Sequence, residues 1–369
     1  MNCLSGQSSA NHDGNRIGGD ERRTSRLIPG CERSRKVSLP ADTVLSVNSV
    51  MFLRVVLVAA SLMSVTLGCG GTEPPHVRHA SVVRVDATSG RVKAVVPVGV
   101  DPLQLAVAAR QVWTLEFGEG TLARIDPETN KPAAVDIGEA AGMASDGDDI
   151  WVAANGNTLL RLDGESGKRE RVLKLARKPL FELRDAGFLT VSAGSIWLTI
   201  PVLGDNSADQ TLWRIDPPTG AVTARAPLLA NPVSLAADAR YVWVANIDGG
   251  KVTRVDVMTN AAKNVAASIG PAGVATGAGS LWVSHYVPEV WRIDPDTMRV
   301  QAKIHLDAGT TRGIAFAGGR VWVTTESGVV ALDPATNKVV QTIELIEPKR
   351  EVGPTAIAYL DGDLWVSIE

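Results

Sequence analysis

"VWVANIDGGKVTRVDVMTN" occupies residues 242–260, and close variants of it recur along the 369-residue chain. "IWVAANGNTLLRLDGESG" begins at Ile150, "LWVSHYVPEVWRIDPDTM" at Leu281 and "VWVTTESGVVALDPATN" at Val321. A phrase repeated within one chain marks a repeated structural unit. The tryptophan falls at positions 113, 151, 197, 243, 282, 322 and 365, at spacings of 38 to 46 residues. A hydrophobic–Asp pair follows each of the first six, and a seventh pair, Val85-Asp86, precedes them all. Arg stands before every pair except the one at Leu332-Asp333, where Ala331 takes its place.

Four short apolar runs make up each unit. Around Trp243 they predict strand A over 233–237, B over 241–246, C over 251–255 and D over 261–268. Alternation and β-branched residues fit half-buried strands. The C–D connection reads "DATSG", "DPETN", "DGESG", "DPPTG", "DVMTN", "DPDTM" and "DPATN". Its Asp can accept bonds from backbone N–H groups two or three residues on, and a terminal Gly or Asn tolerates a left-handed backbone. "DPDTM" departs furthest from this chemistry.

Four strands per period of about 40 residues predict a β-propeller blade. The repeated Trp then packs between neighbouring sheets, each burial contributing roughly 3 kcal/mol. Trp213 and Trp291, outside the series, read as packing residues too. The chain ends after an A strand (355–359) and a B strand (364–368), while 81–85 and 91–98 supply an unpaired C and D. The expectation is an all-β, seven-bladed β-propeller over residues 81–369. Its last blade is closed by N-terminal strands C and D and C-terminal strands A and B, which leaves no free edge in the ring.

The N-terminal part reads differently. Cys3, Cys31 and Cys69 all precede the repeats, so the repeat region has neither a disulfide framework nor a Cys-ligated metal. Residues 51–71, "MFLRVVLVAASLMSVTLGCGG", place one Arg before an apolar run from Val55 to Gly68. That run is short for a membrane span but suits a signal peptide. "TLGCGG" resembles a bacterial lipobox, with Thr66 where Leu is commonest and Cys69 as the lipidated residue. A lipoprotein signal peptide over 51–68, a tether over 69–80 and a cell-envelope location outside the cytoplasm are expected; a plain signal peptide with an incidental Cys is the alternative. Residues 1–50 lack periodicity, and either translation begins at Met51 or they form a disordered extension.

The pattern "GxxP…hWVxN…hxRhDPxT" resembles the YVTN/YncE-like seven-bladed propellers and, among them, the virginiamycin B (streptogramin) lyase family. "VWTLEFGEGTLARID" (112–126) is especially similar to a lyase-type blade. The lyase resemblance implies acidic metal ligands and two closely placed histidines, and here the repeats hold His285 and His305. Fold alone does not assign an activity.

B–C and D–A loops of a propeller share one face. Three or four residues past six of the key Trp residues stand Glu116, Asn155, Asn246, His285, Glu326 and Glu369, with Ile200-Pro201 after Trp197, and the D–A segments carry Arg184, Arg312 and Arg350. Insertions at 176–187, 201–210 and 347–354 fall on the same side, which marks it as the binding face. The expected function is a monomeric binding module that takes a protein, peptide or small-molecule ligand there, with Arg184, Arg312 and Arg350 as ligand contacts. The alternative is a metal-dependent lyase with Glu116, Asn155, Asn246 and Glu326 holding Mg²⁺ or Ca²⁺ and His285 as general base. A formal net charge of -3 argues against a nucleic-acid partner. There is no P-loop, dinucleotide fingerprint or HExxH motif, and Ser195 falls on an A–B turn with no histidine partner.

Replacing Cys69 with Ser is expected to release the protein from the membrane fraction. Mass spectrometry of the native protein checks the same point, since an unmodified Cys69 favours the plain secreted form.

Overall fold

The computed structural model describes residues 80–369 apart from 118, 120, 177–187, 201–209, 230, 267–269 and 348–352. They belong to the unit Cys69–Glu369 and form seven four-stranded antiparallel sheets. Numbering the blades by their Trp, blade four runs Pro232–Ala237 (A), Tyr241–Asn246 (B), Lys251–Asp256 (C) and Ala262–Ala266 (D). Blade seven joins Pro354–Leu360 (A) and Asp363–Ile368 (B) to Ser81–Asp86 (C) and Val92–Pro97 (D), with Val83 opposite Val366. The seven-bladed, end-closed propeller expected from the repeat is the observed architecture.

The hydrophobic core is divided among the gaps between blades. Each repeated Trp is at most 2% exposed and lies against strands B and C of the following blade. Trp113 packs with Ile150, Val152 and Leu162, Trp282 with Val321 and Val323, and Trp365 with Val112 and Ile125 of blade one. No blade has a complete core without its neighbour, which is why the ring must close.

The Arg of the repeat works at the same gap. Register places it opposite the Trp across the B–C ladder, as in Trp243↔Arg254 and Trp365↔Arg84. Guanidinium carbons stand 5.1–5.2 Å from ring centroids in the pairs Arg84–Trp365, Arg214–Trp197 and Arg292–Trp282, within cation–π range. Beyond the ring the guanidinium reaches the C–D turn of the next blade. Arg214 donates to Val257 O (2.7 Å), Arg254 to Pro295 O (2.8 Å), Arg292 to Pro334 O (2.6 Å) and Arg84 to Pro127 O.

The turn is shaped to receive it. Asp256 accepts from the N–H groups of Met258 and Thr259 at 2.9 and 2.8 Å, bonds that hold its carboxyl below the usual carboxylate range. The last turn residue is left-handed in every copy, including Met298 at φ 60°. Met298 is tolerated in the "DPDTM" turn because its side chain is buried in the core between blades four and five. Where Ala331 replaces the Arg, Gln341 takes over: its Nε2 donates to Thr88 O of blade seven at 3.5 Å, and Arg320 donates to its Oε1 at 2.6 Å.

Deleting residues 355–369 removes strands A and B of blade seven and the surface on which Trp322 packs. The shortened protein is expected to lose its cooperative thermal transition altogether. A melting temperature within a few degrees of the full chain's would refute the dependence on closure.

Candidate functional site

Strand A is innermost in every blade, and the seven A strands contact one another in an unbroken ring around the axis. Between them lies a cavity of about 590 Å³, within the size range of small-molecule sites. Consecutive residues line it, such as Leu103 to Ala106 and Val233 to Leu235, because the edge of each strand meets the axis. For the same reason blade four's strand A is half-buried throughout after Pro232, whereas its strand B is buried after Tyr241.

Several polar side chains on the wall stitch blades together. Gln104 Oε1 accepts from Met143 N (2.8 Å), Ser234 Oγ from Val274 N (3.2 Å), and Thr355 Oγ1 donates to Pro102 O (3.0 Å). The strands run so close that a Cβ at Gly313 would meet Thr355 O at 2.3 Å. The remaining wall is mainly aliphatic, with Leu103, Met143, Leu189, Val274, Ile314 and Ile357. Phe117, Tyr286 and the pair Arg312–Glu369, 3.1 Å apart, stand where B–C loops and D–A segments meet it.

A family model described as "SMP-30/Gluconolactonase/LRE-like region" matches residues 105–325, more than half of the chain. The chain belongs to this family. No curated protein matches it in sequence. Among solved structures it is similar to apo AztD from Citrobacter koseri, at 14% identity over 78% of this chain and 89% of that one, with a TM-score of 0.52. A computationally designed protein, Ika8, gives 12% identity over 78% and 89%, with a TM-score of 0.53. BamB from Moraxella catarrhalis gives 15% identity over 73% and 95%, with a TM-score of 0.48. At such identities the likeness concerns the fold.

The family membership leaves the residue roles to the geometry. Of the polar groups that the sequence places at this opening, Arg312 and Glu369 line the cavity, and Arg184 and Arg350 lie outside the described residues. Glu116, Asn246 and His285 are instead buried within or between blades, and Asn155 and Glu326 are exposed. Strand B lies behind strand A, so its last side chains point between blades rather than toward the axis. Phe117 and Tyr286, one residue beyond Glu116 and His285, are the ones that reach the channel.

Each buried group has local work. Glu116 accepts from Gly99 N and Thr121 Oγ1, both at 2.7 Å. Asn246 donates to Val244 O at 2.9 Å and to Thr253 Oγ1 at 3.0 Å, with its Oδ1 unpartnered. Exposed Glu326 accepts from Thr310 N at 3.1 Å. Among the described residues no three His, Cys, Asp or Glu side chains come together as a metal site. The described donors at the channel, Glu369 with the remote Glu116 and Glu326, do not converge as the several hard oxygens around a divalent cation must. No metal-assisted step is derived from them.

His285 is fully buried, its ring 5.1 Å from that of Trp291, with Nδ1 3.1 Å from Glu289 O and Nε2 unpartnered. Burial pushes its pKa down, because the charged ring would lose its hydration. His305 stands at the end of strand D opposite Glu289, exposed and with Asp307 at 3.9 Å, so the two histidines occupy different environments, one buried and one in solvent.

In the unfolded chain His285 titrates near an ordinary value of about 6.5. Below that pH the unfolded state binds a proton that the folded state resists, so stability falls as pH drops toward the lowered folded value. His285→Gln is expected to flatten this part of the stability–pH curve, measured by chemical denaturation between about pH 7 and pH 5. An unchanged slope would show that the ring is readily protonated in place.

Proposed function

We propose that this protein is a lipid-anchored binding module of the cell envelope that admits a small ligand to its axial channel through the face bearing the B–C loops. The observation that carries this reading is the cavity itself: about 590 Å³, lined by buried and half-buried aliphatic side chains and opening beside Phe117, Tyr286 and Arg312. Apolar concavities with a few convergent polar groups are the usual form of small-molecule sites. The wall offers a ligand burial: Ser145 and Ser234 accept from backbone N–H groups and Thr355 donates to Pro102 O, so these hydroxyls are tied to the scaffold. The anchor at Cys69 would hold this face near the membrane.

The neutral probe N-phenyl-1-naphthylamine, fluorescent in apolar surroundings, tests the channel. Leu103 lies on the wall outside the interblade clusters, so Leu103→Trp should narrow the cavity without disturbing the fold. Saturable binding by the wild type is expected, weakened about tenfold or more by Leu103→Trp at an unchanged melting temperature. Binding that ignores the substitution would place the probe elsewhere. Parallel calorimetric titration with Ca²⁺ and Mg²⁺, on the wild type and Glu116→Ala, is expected to show no heat; a site lost with Glu116 would favour the metal-dependent lyase instead.

A further inference from the structure

Arg312 and Glu369 are the charged side chains among the described residues of the wall, and the pair is not symmetric. Glu369 is 25% exposed and Arg312 45%. A guanidinium has five N–H donors in one plane. Among the described residues, only Nη1 of Arg312 has a partner, Glu369 Oε2 at 3.1 Å.

Arg312 also starts from a fixed point. Its N–H donates to Thr324 O at 3.3 Å, and its carbonyl accepts from the Ser284 hydroxyl. Thr311 beside it donates to His285 O at 2.6 Å. The side chain therefore presents its spare donors from a backbone clamped to blade five. Tyr286, 42% exposed, belongs to that blade, while Phe117 belongs to blade one across the ring.

We propose that the channel is built for a flat, ring-bearing monoanion. This rests on the channel being the ligand site. The rings enter between Phe117 and Tyr286 and cover the aliphatic wall, while the acidic group takes the unused N–H donors of Arg312. Glu369 stays in place and orients the guanidinium, as planar Arg–carboxylate pairs do. A cationic ligand would have to compete with Arg312 for the more buried partner. A polyanion would leave its further charges beside Glu369 and with no second cation among the described wall residues to offset their desolvation.

Two fluorescent probes isolate the charge. N-Phenyl-1-naphthylamine and 8-anilinonaphthalene-1-sulfonate share their aromatic groups and differ by one sulfonate. The wild-type full chain is expected to bind the sulfonate at least tenfold more tightly. Arg312→Gln should abolish that preference and leave the neutral probe's affinity unchanged. Glu369→Gln, whose amide oxygen can still accept from Arg312 and hold the guanidinium while the neighbouring negative charge is lost, should tighten the sulfonate several-fold more. Equal affinity for the two probes in the wild type, or sulfonate binding indifferent to Arg312→Gln, overturns the anion assignment while the channel reading stands. Failure of both probes to bind, or of both to respond to Leu103→Trp, overturns the channel reading itself.

Discussion

Each blade depends on the contact its Trp makes with the next. The ring lies on the following sheet, and in blades three, five and seven an Arg from the same blade covers it and bonds the next blade's C–D turn, as Arg292 does with Pro334 O. The arrangement joins apolar burial to a directional bond on one residue pair. Burial alone tolerates sliding between sheets, whereas a guanidinium seated on a turn carbonyl sets their relative height. Blades one, two and six show that the device is replaceable: in blade two Arg161 pairs with Asp149, and Arg171 of strand D donates to Pro218 O of the next turn. In blade one Trp113 itself donates to Gly164 O at 3.1 Å, and in blade six Gln341 reaches the turn.

The four strand positions inherit different environments from this packing. Strand B is enclosed by A, C and two blades, strand D faces solvent, and strand A has only its edge on the axis. Blade four shows the gradient, from a half-buried A through a buried B to a largely exposed D. The channel is therefore assembled from strand edges of seven separate repeats. It is mainly aliphatic because many of its polar side chains, Gln104 and Ser234 among them, are used to tie neighbouring A strands.

The propeller of this SMP-30/gluconolactonase/LRE-like chain encloses a channel whose described side chains are mainly aliphatic, with Arg312 and Glu369 at its opening. Glu116 and Glu326 serve the scaffold. Glu116 receives a backbone N–H and a hydroxyl, and Glu326 ties Thr310. Among the described residues Arg312, by contrast, keeps guanidinium donors in excess of its one bond to Glu369.

The repeat of Trp, Arg and Asp by itself determined the blade count, the strand order and the closure of blade seven. These follow from local pattern, because turn chemistry and strand alternation are written in consecutive residues. Arg312 was legible too, since a cation in a D–A segment of a propeller must lie on the loop-rich face. The rest of the opening was decided by tertiary structure. Counting from the Trp led to Glu116, Asn246 and His285, but an inner strand rotates those side chains between blades and hands the channel to Phe117 and Tyr286. The wall left no periodic trace, because a strand that meets the axis edge-on exposes consecutive residues rather than alternate ones. Which residues share that axis depends on seven distant segments closing into one ring, and no local pattern records it.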